Sequence, residues 1–102
     1  MKQIIDGKVY NTETATEIGH DSYNGSCTDF QWWDETLYRT KKGQHFLAGK
    51  GGPRSHWSEA VGYGGYSGGS GIRLLSDEQA RRWAEKHLNI EQIEAAFSVE
   101  EG

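Results

Sequence analysis

The stretch from residue 35 to residue 49 predicts a β-hairpin, and this hairpin limits the folds open to the rest of the chain. Residues 37–40 and 45–47 are rich in the β-branched, aromatic and aliphatic side chains that favour strands. Between them, residues 41–44 (KKGQ) have the composition of a turn, and Gly43 can adopt positive φ without strain. A two-stranded hairpin is marginal alone, so this one needs a third strand or a helix against its apolar face.

Two helices are predicted near the end of the chain. In the first, Ser76 to Leu88, Ser76 is the N-cap and Gln79 completes a capping box. Its apolar stripe is expected to cover the sheet and consists of Ala80, Trp83, Ala84 and either His87 or Leu88. Asn89 then caps a second, short helix over residues 90–97.

The first third of the chain predicts a further hairpin, a short helix and an extended approach to the central hairpin. Residues 2–12 contain an Asp-Gly pair, a strong type I′ turn signal, between two short strands. Residues 13–18 are expected to form a short helix, and residues 20–28 a loop of turn-forming residues. Residues 29–34 are expected to be extended and to lead into the central hairpin.

Glycine dominates the segment between the central hairpin and the helices. Residues 62–71 contain six glycines and predict a long, flexible surface loop. Residues 72–75 predict a strand that completes the sheet, whereas residues 55–61 fit a short strand or an irregular segment. Residues 98–102 predict a frayed acidic tail. The predicted fold is one α+β domain over residues 1–102, with an antiparallel sheet of about four or five strands, a C-terminal helix on one face and short additional helices.

Charge is distributed unevenly along the sequence. The net charge is −4, but residues 36–75 carry about +5, residues 1–35 about −5 and residues 76–102 about −4. Two interpretations stay open. The three blocks neutralise one another in the folded chain, or the protein presents oppositely charged faces that steer a partner.

The sequence contains no recognisable catalytic, metal or cofactor motif. The four histidines stand at no metal-ligand spacing to one another or to Cys27, and neither glycine cluster matches a phosphate-binding motif. We therefore expect no metal, no cofactor and no enzymatic activity; a small enzyme acting through Cys27 or a histidine is an alternative.

The cellular compartment can also be predicted from the sequence. The single cysteine excludes an internal disulfide and fits a reducing cytoplasm. No apolar run reaches the length of a signal peptide or a membrane span. We expect a cytoplasmic protein with no membrane contact; its oligomeric state stays open.

Acidic and large aromatic side chains are concentrated in one short stretch. We expect a partner-binding surface there, made of Asp29, Trp32, Trp33, Asp34 and Glu35. Because side chains alternate along a strand, the two adjacent tryptophans point to opposite faces, and one of them is a candidate exposed aromatic.

A basic strip in the middle of the chain offers a different binding surface. It would bind nucleic acid and consists of Lys41, Lys42, Lys50, Arg54 and Arg73, with Tyr38, Phe46 and Trp57 among them. The acidic overall balance argues against this alternative, because affinity for phosphate comes mainly from positive charge.

Several segments together resemble a known family. They are residues 8–15 (KVYNTETA), 37–43 (LYRTKKG), 51–52, 67–69 and 75–85 (LSDEQARRWAE). They resemble a family of phage and mobile-element proteins of about this length, some of which act as anti-CRISPR proteins against type I effector complexes. The resemblance implies a non-enzymatic inhibitor that binds a host CRISPR–Cas effector complex and blocks target DNA binding. It assigns no functional residues. The alternative is a small nucleic-acid-binding or regulatory accessory protein of a mobile element.

Overall fold

The computed structural model describes residues 1–23, 31–60 and 65–99 of the chain. The elements in these ranges are β1 (Lys2–Ile5), β2 (Lys8–Asn11), β3 (Thr16–Tyr23), β4 (Trp33–Arg39), β5 (His45–Gly51), β6 (Glu59–Ala60), β7 (Tyr66–Ser67), β8 (Gly69–Leu75), α1 (Asp77–His87) and α2 (Ile90–Ala96). Four strands form an antiparallel sheet in the order β3-β4-β5-β8, while β1–β2 and β6–β7 pair separately. The predicted α+β fold, a four-stranded sheet with a C-terminal helix on one face, is confirmed.

The central hairpin is confirmed as β4 and β5, which pair along their whole length. The turn between them is closed by hydrogen bonds. The Gly43 N–H donates to the Thr40 carbonyl at 2.9 Å, and the Gln44 N–H donates to the Thr40 hydroxyl at 3.1 Å. Gly43 has a φ of 92°, in the left-handed region where glycine is favoured, as the sequence predicted.

One face of the sheet packs against α1. The core on this side is formed by Leu37, Leu47, Trp57, Ala80 and Ala84. Complete burial of Leu37 alone contributes about 2 kcal/mol. The predicted capping box is present: the Ser76 hydroxyl accepts from the Gln79 N–H at 3.1 Å, and the Gln79 amide oxygen accepts from the Ser76 N–H at 2.9 Å. Sequence therefore located the start of α1 correctly.

The β1–β2 hairpin covers part of the opposite face of the sheet. The core there is formed by Tyr10, Phe46, Ala48 and Ile72. The Ile72 N–H donates to the side-chain oxygen of Gln3 at 3.1 Å, which ties the hairpin to β8. Asp6 and Gly7 both have positive φ, 52° and 76°, the backbone that a type I′ turn requires. The predicted hairpin is confirmed.

The prediction of a helix over residues 13–18 is wrong. The chain turns at Asn11, whose side chain accepts from the Glu13 N–H at 2.9 Å, and then enters strand β3. A helix of six residues is marginal in water, whereas β3 gains a ladder of hydrogen bonds from β4 along its length. The predicted loop is wrong for residues 20–23, which belong to β3; residues 24–28 lie outside the described residues.

The prediction of a glycine-rich loop over residues 62–71 is wrong for five of its seven described residues, 65–71. Strands β7 and β8 occupy residues 66–67 and 69–71, and residues 62–64 lie outside the described residues. Glycine is accepted in β8 because the backbone of the preceding segment lies close: a Cβ on Gly69 would overlap the carbonyl of Trp57.

Other segments agree with their predictions in part. The strand expected at residues 72–75 is confirmed as the end of β8. Residues 55–60 contain turns followed by β6, and residue 61 lies outside the described residues. Of the predicted acidic tail, residues 100–102 lie outside the described residues. No helix in the described part of the chain is long and apolar enough to cross a membrane.

Candidate functional site

A buried carboxylate joins the sheet, the segment after β5 and helix α1. Glu35 in β4 is 2% exposed. Its Oε1 accepts a hydrogen bond from the indole N–H of Trp83 at 3.0 Å, and its Oε2 accepts one from the indole N–H of Trp57 at 2.6 Å. The ring nitrogen Nε2 of His56 also bonds to Oε2. We call these four residues the Glu35 cluster.

Local structure explains how these side chains meet. Glu35 faces α1 because side chains alternate along β4. The Ser55 hydroxyl donates to the Gly52 carbonyl at 2.8 Å and accepts from the Trp57 N–H at 3.2 Å, which turns Trp57 back over the sheet. Gly49 lies opposite Glu35, and a Cβ on it would lie 2.8 Å from the indole nitrogen of Trp57. Glycine at this position leaves the space that the indole occupies.

The hydrogen bonds keep Glu35 ionised despite its burial. Burial by itself raises the pKa of a carboxyl group, and it is the largest single influence on Glu35. The hydrogen bonds from Trp83, His56 and Trp57, together with the electrostatic interaction with His56, outweigh it. The pKa of Glu35 is therefore lowered below its ordinary value of 4.5.

Further polar and aromatic contacts surround the cluster. Nδ1 of His87 in α1 bonds to the carboxylate of Asp21 in β3 at 2.8 Å, so a second imidazole links helix and sheet. The His87 ring also meets the Trp33 ring edge to face, at a centroid distance of 5.3 Å. The Arg73 guanidinium lies 4.1 Å from the Trp57 ring centroid, within cation–π range.

The chemistry of the Glu35 cluster favours a structural role. A buried carboxylate that fixes a half-exposed imidazole, here His56, is also how enzymes position a general base. In Glu35, however, both oxygens are engaged by donors from two other segments of the fold. No group of three or more His, Cys, Asp or Glu side chains in residues 1–23, 31–60 and 65–99 is arranged to hold a metal. Cys27, the nucleophile of the enzyme alternative, lies outside these ranges.

The structure divides the predicted partner-binding residues between the two faces of the sheet. Trp33 packs against the core beneath α1, and Glu35 is buried beside it. The expectation that Glu35 belongs to an exposed acidic surface is wrong, because strand alternation turns its side chain inward. Asp29 lies outside the described residues.

Trp32 and Asp34 lie on the other face of the sheet. The Gly52 N–H donates to the Trp32 carbonyl at 2.9 Å, which extends the β4–β5 ladder by one residue. By alternation, Trp32 is then on the same side as Asp34. Trp32 is 36% exposed and is the accessible member of the tryptophan pair. The Asp34 carboxylate bonds to the His20 ring nitrogen Nε2 at 2.8 Å, and both side chains are partly exposed.

A polar row crosses the sheet next to this pair. Ser22, Asp34, Lys50 and Ser70 lie side by side in register on four neighbouring strands. Ser22, Lys50 and Ser70 are exposed. We call the row, together with Trp32 and His20, the open sheet face. The open sheet face is polar and of mixed charge rather than strongly acidic. The sequence alone could not predict this charge distribution, because the residues of the row come from four strands that are distant in sequence.

The predicted basic aromatic strip is not continuous in the structure. Phe46 and Trp57 are buried, so they cannot stack on bases. Lys50 lies near one end of β5, whereas Lys41 and Lys42 lie in the turn before its other end. Nucleic-acid binding through this strip would lack most of its stacking surface.

Comparison with known proteins adds no family or relative. No family model, no curated protein and no solved structure matches the chain.

Proposed function

We propose that the protein is a non-enzymatic inhibitor that binds a type I CRISPR–Cas effector complex through the open sheet face and blocks target DNA binding. The resemblance in sequence names the kind of partner. The observation that carries the choice of surface is the exposure of Trp32 beside the half-exposed carboxylate of Asp34. Tryptophan is among the residues most enriched at energetically dominant interface positions.

The open sheet face has the composition of an interface. The Trp32 ring is a large, rigid anchor that orders few rotatable bonds on binding. The polar row beside it supplies hydrogen-bond donors and acceptors from Ser22, Asp34 and Lys50. Interfaces typically combine an aromatic centre with such a polar rim. The sheet backbone beneath holds these groups in register, so binding requires little ordering of the main chain.

Co-migration in size-exclusion chromatography tests the proposal. Purified protein is mixed with a guide-loaded type I effector complex, and binding of target DNA is measured with and without the protein. We expect co-migration and loss of DNA binding. If the protein does not co-migrate with the complex and does not reduce its binding of target DNA in any type I subtype tested, the proposed partner is wrong.

Two substitutions test the surface itself. Trp32→Ala and Asp34→Lys should each weaken complex binding by about tenfold or more, as expected for a residue at an interface centre. Glu13→Lys is the matched control for Asp34→Lys, because Glu13 is exposed and lies in the turn before β3. If all three variants bind like the wild type, the open sheet face is not the binding surface.

A further inference from the structure

A cleft lies between the β1–β2 hairpin and the turn that joins β4 to β5. Its volume is about 480 Å³. From the hairpin side it is lined by Lys8, Val9 and Tyr10, and from the turn side by Lys41 and Lys42. The open sheet face lies at the opposite end of β4, so the cleft is separate from the surface proposed above.

The charge of the cleft has one sign. Three lysines and no carboxylate are among its lining residues. Within the described ranges, Lys8, Lys41 and Lys42 form no salt bridge with a carboxylate. The chain as a whole has a net charge of −4, so the local positive charge of the cleft is opposite in sign to the net charge of the protein. A site of this kind attracts a ligand that carries several negative charges.

The backbone that carries the lysines is well fixed. Lys41 and Lys42 sit in the turn closed by the Thr40 and Gly43 hydrogen bond. The Gln44 side-chain amide donates to two carbonyls, those of His45 and Leu75, both at 2.9 Å. Lys8 stands on β2, directly opposite Ile5 of β1. The cost of ordering the main chain on ligand binding is therefore small.

The cleft also offers a surface to the organic part of a ligand. Val9 is 56% exposed although it lies in a strand, and Ala15 lies in the same lining. The Thr14 hydroxyl and the side-chain oxygen of Gln44 supply polar groups at the wall. Small-molecule sites of this volume are usually apolar with a few placed polar or charged groups.

We propose that this cleft binds a nucleoside di- or triphosphate, with Lys8, Lys41 and Lys42 around the phosphates and Val9 against the nucleoside. The ammonium groups act as point charges that suit phosphate oxygens. Two or three linked phosphates match the number of lysines better than a single phosphate does. The apolar wall can contact a nucleoside, so we expect a nucleotide to bind more tightly than pyrophosphate alone.

Isothermal titration calorimetry with ADP, ATP and pyrophosphate tests the site. At about 50 mM salt we expect ADP and ATP to bind, and pyrophosphate to bind more weakly. The K41Q/K42Q variant should bind ADP at least about tenfold more weakly, and K8Q should also lose affinity. The K2Q/K86Q variant removes the same charge outside both the cleft and the open sheet face and should match the wild type. All five lysines are exposed, and circular dichroism checks that each variant is folded.

Three results would overturn the assignment. The first is no binding of ADP, ATP or pyrophosphate by the wild-type protein at low salt. The second is equal loss of ADP binding in K41Q/K42Q and K2Q/K86Q, which would mean a diffuse charge effect. The third is binding of single-stranded oligonucleotides without binding of mononucleotides, which would indicate an extended nucleic-acid surface. Complex binding by the Trp32→Ala variant is measured separately, so this proposal and the inhibitor proposal can fail independently.

Discussion

Replacing Glu35 by Gln should destabilise the protein strongly. The substitution keeps the shape of the side chain and removes its charge. A glutamine offers one acceptor oxygen in place of two, and its NH₂ group then faces a donor. The indole N–H groups of Trp57 and Trp83 bond to different oxygens of Glu35, so at least one of them loses its acceptor.

The size of the effect follows from these contacts. Each buried donor left without a partner costs about 1–3 kcal/mol, and each remaining bond loses the contribution of the charge. Removing one partner of a buried charged network costs about 3–5 kcal/mol in comparable cases. The whole stability of a domain this size is about 5–15 kcal/mol. Glu35→Gln should therefore remove a large fraction of the free energy of unfolding.

Urea unfolding followed by tryptophan fluorescence measures this effect. Asp34→Asn is the matched control, because Asp34 directly precedes Glu35, is half-exposed and is hydrogen-bonded to His20. It should cost less than about 1 kcal/mol. If Glu35→Gln and Asp34→Asn cost the same, Glu35 does not hold the sheet, the 52–58 segment and α1 together.

The remaining predictions concern pH, space and capping. The pKa of Glu35 in the folded protein lies below 4.5, so the stability that the ionised carboxylate contributes is present above pH 4.5 and is lost as the pH falls through the lowered pKa. The difference in unfolding free energy between the wild type and Glu35→Gln should therefore shrink in acid. A difference that does not change with pH would contradict an ionised Glu35. Gly49→Ala should cost about 1–3 kcal/mol by overlap with the Trp57 indole, measured by urea unfolding; no loss would mean that the indole can move away. Ser76→Ala should cost about 1 kcal/mol in the same assay, with less helical circular dichroism, because the capping box of α1 is lost.

Sequence predicted the elements that are specified by local signals. The Asp6-Gly7 turn, the Gly43 turn, the capping box of α1 and the Asn89 cap of α2 each depend on a few adjacent residues. Strand β3 depends instead on pairing with β4, which begins ten residues after β3 ends. The composition of residues 13–18 by itself indicated a short helix. Six adjacent residues carry no information about pairing with a distant strand, so the sequence did not reveal β3.

The residues of the predicted partner-binding surface also separate into features that the local pattern predicts and features that only the fold determines. Alternation along a strand correctly implied that Trp32 and Trp33 face opposite sides, but it did not reveal which side α1 covers. The same alternation places Glu35 in line with the fully buried Leu37, a signal that the acid lies in the interior and needs partners. Its partners at positions 56, 57 and 83 are distant in sequence, so only the fold brings them together.

Hydrogen exchange of the indole N–H protons, followed by NMR in the native protein, tests most directly the claim that Glu35 binds the indoles of Trp57 and Trp83 in the interior. We expect the Trp57 and Trp83 indole protons to exchange slowly, because both donate to the buried carboxylate of Glu35, and the half-exposed Trp32 proton to exchange quickly. In Glu35→Gln the slow exchange should be lost. Equal exchange rates for Trp32, Trp57 and Trp83 in the wild type would contradict both the Glu35 cluster and the assignment of Trp32 to the open sheet face.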